Sequence, residues 1–232
     1  MVTLNSDLEV LNYALTLEQF EAALYKVLIG ANVLTGVEQG YLTTFGAQEQ
    51  THVDTLTQVI GQLGGTPVKA PGSYNFAAAG PITNRDQLVA ALAMVEDIGA
   101  SAYLGAAGSI KDPALLTAAV TIHAVEAEHA AIFRDLAGMA AAPDVVAKGR
   151  TPDQVLALVA PFFTAPVPGS TGAPGGASGP PAGNPPAVTG PSGSGAGNGA
   201  GPMGNTGSSP TTSTASTPGG QPPYFVRRLG DG

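Results

Sequence analysis

Two Glu-x-x-His pairs and two further glutamates, each set in its own apolar stretch, constrain this sequence more than any other feature. Glu126 and His129 lie in the run IHAVEAEHAA, residues 122–131, which contains no Gly or Pro. On a helix, residues three apart share a face, so a carboxylate and an imidazole there can grip one object. A lone Glu-x-x-His is common by chance on solvated helices. Here Glu49 and His52 repeat the spacing in QEQTHVDTL, and Glu18 and Glu96 each interrupt an apolar run, ALTLEQFEAALY and LAMVEDIGASAYLG. One glutamate or one Glu-x-x-His per helix, on four helices, is the ligand pattern of a two-ion carboxylate site inside a bundle.

The offsets repeat as well. Glu18 to Tyr25 and Glu96 to Tyr103 are both seven residues; Glu18 to Glu49 is 31 and Glu96 to Glu126 is 30. Two helical hairpins related by a pseudo-two-fold bring all six candidate ligands to one centre. Burying four carboxylates for packing alone is too costly, whereas paired or metal-bound carboxylates are tolerated. The expected ligands are therefore Glu18, Glu49, His52, Glu96, Glu126 and His129. Two glutamates would bridge the ions and each histidine would cap one. Mixed oxygen and nitrogen donors suit two iron ions or, alternatively, two manganese ions, with dioxygen or peroxide as the small-molecule partner.

Glu21 competes with Glu18 for the first helix. The repeat favours Glu18, because Glu21 aligns with Gly99, and Glu21 is kept as a neighbour of the ligands or an alternate ligand. Tyr25 lies on the face of Glu18, roughly 10 Å along the axis, and is the candidate catalytic residue, a hydrogen-bond or redox neighbour. His123 is left outside the ligand set. Glu128, Asp97 and Asp54 are expected to point elsewhere, into solvent.

Caps and periodicity set the elements. Ser6 and Asp7 start a helix running to about Gly30; a second starts after Gly36 and stops at Gly64–Gly65. Residues 64–83 have three prolines and no helical period, which suits a long crossover between parallel neighbours. Thr83 or Asn84 caps a third helix to about Ala107, and Asp112–Pro113 starts a fourth to about Gly138. TPDQVLALVAPFF reads as a short fifth helix in need of a docking place.

Composition divides the chain at Ala165. Before it lie seven of the nine Lys and Arg and sixteen of the seventeen Asp and Glu, a net −9 against +1 beyond. An acidic domain without a basic stripe does not bind nucleic acid through the phosphate backbone. There is no Cys, hence no disulfide, iron–sulfur cluster or thiolate iron site. The N-terminus MVTLNSDLEV lacks an export signal, and no apolar run is read as reaching the ~20 residues of a membrane helix. These features point to a cytoplasmic protein without fixing the compartment. Three segments are expected: a bundle over 1–164, a disordered Gly/Pro/Ser-rich linker over 165–223, and a short apolar-basic end, YFVRRLGDG, over 224–232.

LEQFEAALY, the Glu-x-x-His of QEQTHVDTL, GSYNF, VEDIGASAYLGAA and AVEAEHAA together resemble the ferritin-like family that includes plant and bacterial desiccation-related proteins. The resemblance covers about residues 5–138. It implies an all-α, ferritin-like four-helix bundle with a long crossover, and the same six ligands. The wider superfamily, including bacterioferritin and rubrerythrin, shares the first-helix Glu with Tyr seven later. Its members include ferroxidases, peroxidases and manganese catalases, so the resemblance implies Fe(II) oxidation or peroxide removal in stress protection. It also admits a non-catalytic stress protein whose metals hold the bundle together, and a cargo or adaptor whose tail docks to a shell, as in encapsulin compartments. A homo-oligomer is compatible with the pattern. The chain departs from rubrerythrin in having no rubredoxin domain, and its tail is not a feature of ferritin cages.

Overall fold

The computed structural model describes residues 2–168. Among these the chain is helical without strands, in the order α1 (Asp7–Ala31), α2 (Gly36–Gln62), α3 (Arg85–Ala106), α4 (Pro113–Leu136) and α5 (Pro152–Val159). The expected linker over 165–223 and the end segment 224–232 fall outside the described residues, save 165–168. The buried core continues past the composition break to Val167.

The ends of the helices obey local chemistry. Ser6 Oγ accepts the Glu9 amide at the start of α1, and Asn84 accepts that of Gln87 at the start of α3. Asp112 accepts the amides of Ala114 and Leu115, with Pro113 at the first helical position of α4. Thr151 and Gln154 form a reciprocal capping box on α5. Each satisfies amides that a helix N-terminus leaves without intrahelical partners. Gly64 and Gly138, with φ of +75° and +72°, turn the chain away after α2 and α4, in the left-handed region that glycine enters without cost.

α1 pairs with α2, and α3 with α4, as two antiparallel hairpins. Residues 63–84 form the crossover between them. It is fastened rather than loose: the Val68 amide donates to Asn12 Oδ1 at 2.6 Å, and Gln19 Nε2 donates to the Val68 carbonyl at 3.0 Å. Further along, the Asn75 amide donates to the Phe162 carbonyl at 2.7 Å, and Tyr74 bridges to Phe163. Phe20 of α1 closes this end, with the rings of Tyr74, Phe76, Phe162 and Phe163 at 5.1–6.1 Å from its own. The docking place of α5 is thereby settled: Val155, Leu156 and Val159 enter the main core.

One expectation needs correction. By length and composition, the stretch Arg85–Ser109 is apolar enough to cross a membrane. The physical reason is its place in the bundle, where α3 is covered by α1, α4 and α5. Some 67% of its most apolar window is buried, and Glu96 lies inside it, so it is a core helix rather than a lipid-facing one.

The loop from α4 to α5 lies on α3 backbone to backbone. A Cβ at Gly105 would fall 1.8 Å from the Arg150 carbonyl oxygen, and one at Gly149 would fall 2.6 Å from the Gly105 nitrogen. Arg150 secures this contact through its amide to the Ser101 carbonyl at 2.9 Å, and through its guanidinium to Ser101 Oγ and the Asp97 carbonyl at 2.6 and 3.0 Å. Because the clash is with backbone, no rotamer relieves it. Gly105→Ala is expected to cost about 3 kcal/mol, the upper end of overpacking effects, read as a lowered thermal midpoint. An unchanged midpoint would show the loop free to lift away.

Candidate metal centre

Six side chains from four helices converge midway along the bundle. Glu18, Glu49, Glu96 and Glu126 are fully buried, His129 is 1% exposed and His52 is 8% exposed. Their ligand atoms form two overlapping groups, each spanning no more than 4.8 Å: Glu18, Glu49, His52 and Glu126 in one, Glu49, Glu96, Glu126 and His129 in the other. Glu49 and Glu126 belong to both. The grouping is compatible with two metal ions, with two carboxylates common to both groups and one histidine in each. All six residues singled out in the sequence are brought together.

Apart from His52 Nδ1, which shares a hydrogen bond with Glu18 Oε2 at 3.2 Å, the atoms are close without being satisfied by one another. His129 Nδ1 lies 2.9 Å from Glu49 Oε1 and 3.3 Å from Glu96 Oε2, yet has no hydrogen-bond partner. The same holds for both oxygens of Glu49 and of Glu126, and for Glu96 Oε2. Buried polar atoms are normally paired, and leaving one unpaired costs about 1–3 kcal/mol. Lone pairs gathered around shared points, off hydrogen-bonding angles, fit cations. The donor set of carboxylate oxygens and imidazole nitrogens suits iron or manganese.

The flanking groups orient these ligands. His129 Nε2 lies 2.8 Å from Gln48 Oε1. An amide oxygen only accepts, so Nε2 carries a proton and Nδ1, once it gives up its own, turns a lone pair to the centre. The His129 ring also stacks on Phe45, centroids 4.0 Å apart. Tyr103 donates to Glu18 Oε1 at 2.5 Å, and Tyr25 donates to Glu96 Oε1. Each tyrosine therefore serves the glutamate of the other hairpin. Gln48 was missed in the sequence; its readable sign was its place four residues before His52, on the same face of α2.

Glu21 is a fifth buried carboxylate here, with Oε2 unpaired. It stands outside both ligand groups, whereas Glu18 is a member of one. A Cβ at Gly99 would fall 2.6 Å from Glu21 Oε1 and 3.0 Å from Glu126 Oε2. Glu21 thus fills the space that its counterpart in the repeat leaves empty. His123 stays outside the centre, half-buried, with Nδ1 at 3.0 Å from the Ala100 carbonyl. Glu128 and Asp54 are exposed. Asp97 is turned away too, but it is held in an ion pair with Arg134 rather than left in solvent.

Without metal, the cluster must hold protons. Burial and then the charge of Glu49 push the Glu126 carboxyl well above its usual range. Burial and then Glu126 do the same to Glu21, and burial carries Glu49 up to about 7. Burial alone would lower both histidines, but Glu18, Glu126 and Glu49 at 3.1–3.4 Å keep His52 protonated. Glu49 and Glu96 raise His129 to about 9. Burial would also raise Glu18, but His52 beside it holds it below the usual range. Ligands bind metal only when deprotonated. At pH 7 the metal-free site therefore carries protons on His129, His52 and Glu126 that an incoming ion must displace. Mn(II) binding is expected to release more than one proton per chain, and affinity to fall about tenfold or more per unit as pH drops from 7 to 6. Calorimetry in two buffers of different ionisation enthalpy measures the release; a pH-independent affinity would refute it.

A helical bundle of two hairpins, with a buried cluster of carboxylates and imidazoles that could hold metal at its centre, is the class that fold and site define. The ferritin-like domain profile matches residues 6–139, and the chain belongs to that family. No curated protein matches the chain.

Proposed function

We propose that this chain binds two iron ions, or two manganese ions, and oxidises Fe(II) or removes peroxide in a stress-protection role. The observation that carries this reading is the pair of overlapping ligand groups joined by Glu49 and Glu126. Glu18 and His52 would hold one ion, Glu96 and His129 the other. When bound, such a pair supplies reversible one-electron chemistry and open positions for dioxygen or peroxide.

The chain's own contribution is placement and exclusion. The carboxylates and imidazoles are carried on four rigid helices, and Gln48 fixes the tautomer of His129. Surrounding Leu, Val and Phe side chains keep bulk water out, which strengthens every charge interaction inside. Tyr25 is assigned the catalytic position: its buried hydroxyl holds a proton at Glu96 Oε1, and its ring is an oxidisable group touching a ligand. Tyr103 stands in the same relation to Glu18.

The test is metal analysis after anaerobic Fe(II) or Mn(II) loading, beside a folded Glu49→Ala/Glu126→Ala variant. About two ions per wild-type chain, lost in the variant, followed by dioxygen or peroxide consumption that the variant lacks, is expected. No metal uptake would sink the reading. Two ions without turnover would leave a metal-stabilised, non-catalytic bundle.

A further inference from the structure

The two halves of the repeat are equal in their ligands but unequal in what packs behind them. Behind Tyr25, space is filled: Phe133 lies 6.3 Å from its ring, and Phe45 packs edge-on to Phe133 at 5.6 Å. A Cβ at Gly46 would fall 3.1 Å from Tyr25 Cβ, so α2 is pressed against that tyrosine. Behind Tyr103, the counterparts of Phe133 and Phe45 in the repeat are the smaller Leu56 and Ile122. Ala14, Ala102, Ala106 and Ala119, with Leu56, leave a cavity of about 20 Å³ against the Tyr103 ring. Its lining includes Ile122, one helical turn before Glu126, and Leu17, the neighbour of Glu18, so the cavity borders the segments that carry two of the carboxylates. Its outer wall includes Ile110, Ala118 and Ala119, which are only half-buried.

The volume is that of one small molecule, and the lining selects its kind. A site of this size holds a water only if the water finds two to four polar partners. Its walls are almost wholly apolar. Two tyrosines contribute to them, but the Tyr103 hydroxyl is committed to Glu18, which leaves at most the partnerless Tyr13 hydroxyl to meet a guest. One hydroxyl does not replace what water or peroxide loses on leaving solvent. An apolar diatomic loses nothing there.

We propose that this cavity is the docking and access site for dioxygen, feeding the metal centre past Tyr103 from the α3–α4 side. The proposal rests on the di-metal reading above and deepens it by choosing dioxygen over peroxide as the molecule this route admits.

Xenon, an apolar probe of similar size, tests occupancy in the metal-free protein by NMR shifts of the Ala102 and Ala106 methyls. Saturable shifts at those methyls are expected in the wild type and their loss in Ala119→Phe, which closes the half-buried mouth. Ala118→Phe serves the same purpose should the first variant misfold. In Fe(II)-loaded protein of unchanged metal content, either variant should slow the second-order reaction with dioxygen about tenfold, as a blocked approach does, and leave the reaction with hydrogen peroxide within about twofold. Absent xenon shifts, or an unaltered dioxygen rate once xenon is displaced, would overturn the proposal while leaving the metal site standing. Failure of the protein to take up iron at all would overturn both, and metal analysis tells the two failures apart.

Discussion

Loading the metal-free protein with two divalent ions per chain is expected to raise its melting temperature by roughly 10–20 °C. An ion that binds only the folded state stabilises it by about 2.7 kcal/mol at a hundred times its dissociation constant, so two ions give about 5 kcal/mol. For a domain of this size, each kcal/mol moves the midpoint by about 2–4 °C. The sharper half of the expectation concerns Glu49→Gln/Glu126→Gln. Both residues are fully buried, and all four of their carboxylate oxygens lack hydrogen-bond partners. Without metal they are a burden, since burial pushes both carboxyls up despite the neighbouring histidines, so they ionise at a cost or stay protonated. The neutral amides keep the shape and remove the charge. The double variant should therefore melt higher than the wild type when both are metal-free, and gain almost nothing on loading. Thermal scans with and without Mn(II) read all four states. A metal-free variant that melts below the metal-free wild type would show that these carboxylates stabilise the bundle by themselves.

This inversion, with stability given up where function is placed, also marks what could be read from the chain in advance. Helix starts were legible because caps are local: Ser6, Asn84, Asp112 with Pro113, and Thr151 each satisfy amides within three residues. The clustering of the six residues was legible because one face of a helix fixes a spacing of three and the hairpin repeat fixes the offsets between helices. The exchange of partners, with Tyr25 serving Glu96 and Tyr103 serving Glu18, was not. It depends on how far one hairpin slides along the other, which no local rule sets. Glu21 shows the same limit from the other side. Its alignment with Gly99 argued against it as the first-helix ligand, but that the missing side chain makes room for Glu21 emerges only when α1 and α3 meet. The seat of the α4–α5 loop on Gly105 is a backbone contact between distant residues and carries no signature in periodicity. Hydropathy likewise could not tell the core helix α3 from a membrane span, because both are apolar on every side for different reasons.

Removing ligands one half at a time should separate the two ions. Glu18 and His52 occur in one ligand group alone, and Glu96 and His129 in the other alone. Glu18→Ala/His52→Ala is expected to retain about one ion per chain, and Glu96→Ala/His129→Ala likewise, because each leaves one histidine and the two shared glutamates in place to hold a cation. Glu49→Ala or Glu126→Ala should lose both at the same metal concentration, since either change strips a carboxylate from each group. Loaded with Mn(II), the wild type should give the resonance signal of a spin-coupled pair, and the two half-site variants that of an isolated ion. Turnover should fall in all of them to nearly the same floor. Residues that act as a unit are not additive, and removing one member costs about as much as removing several. If the half-site variants lost both ions, the two positions would bind in strict succession, and the division between Glu18–His52 and Glu96–His129 would be a matter of geometry only. Retention of two ions by Glu49→Ala would mean that the shared carboxylate is not shared, and that Glu21, the spare buried carboxylate beside Glu126, has taken its place.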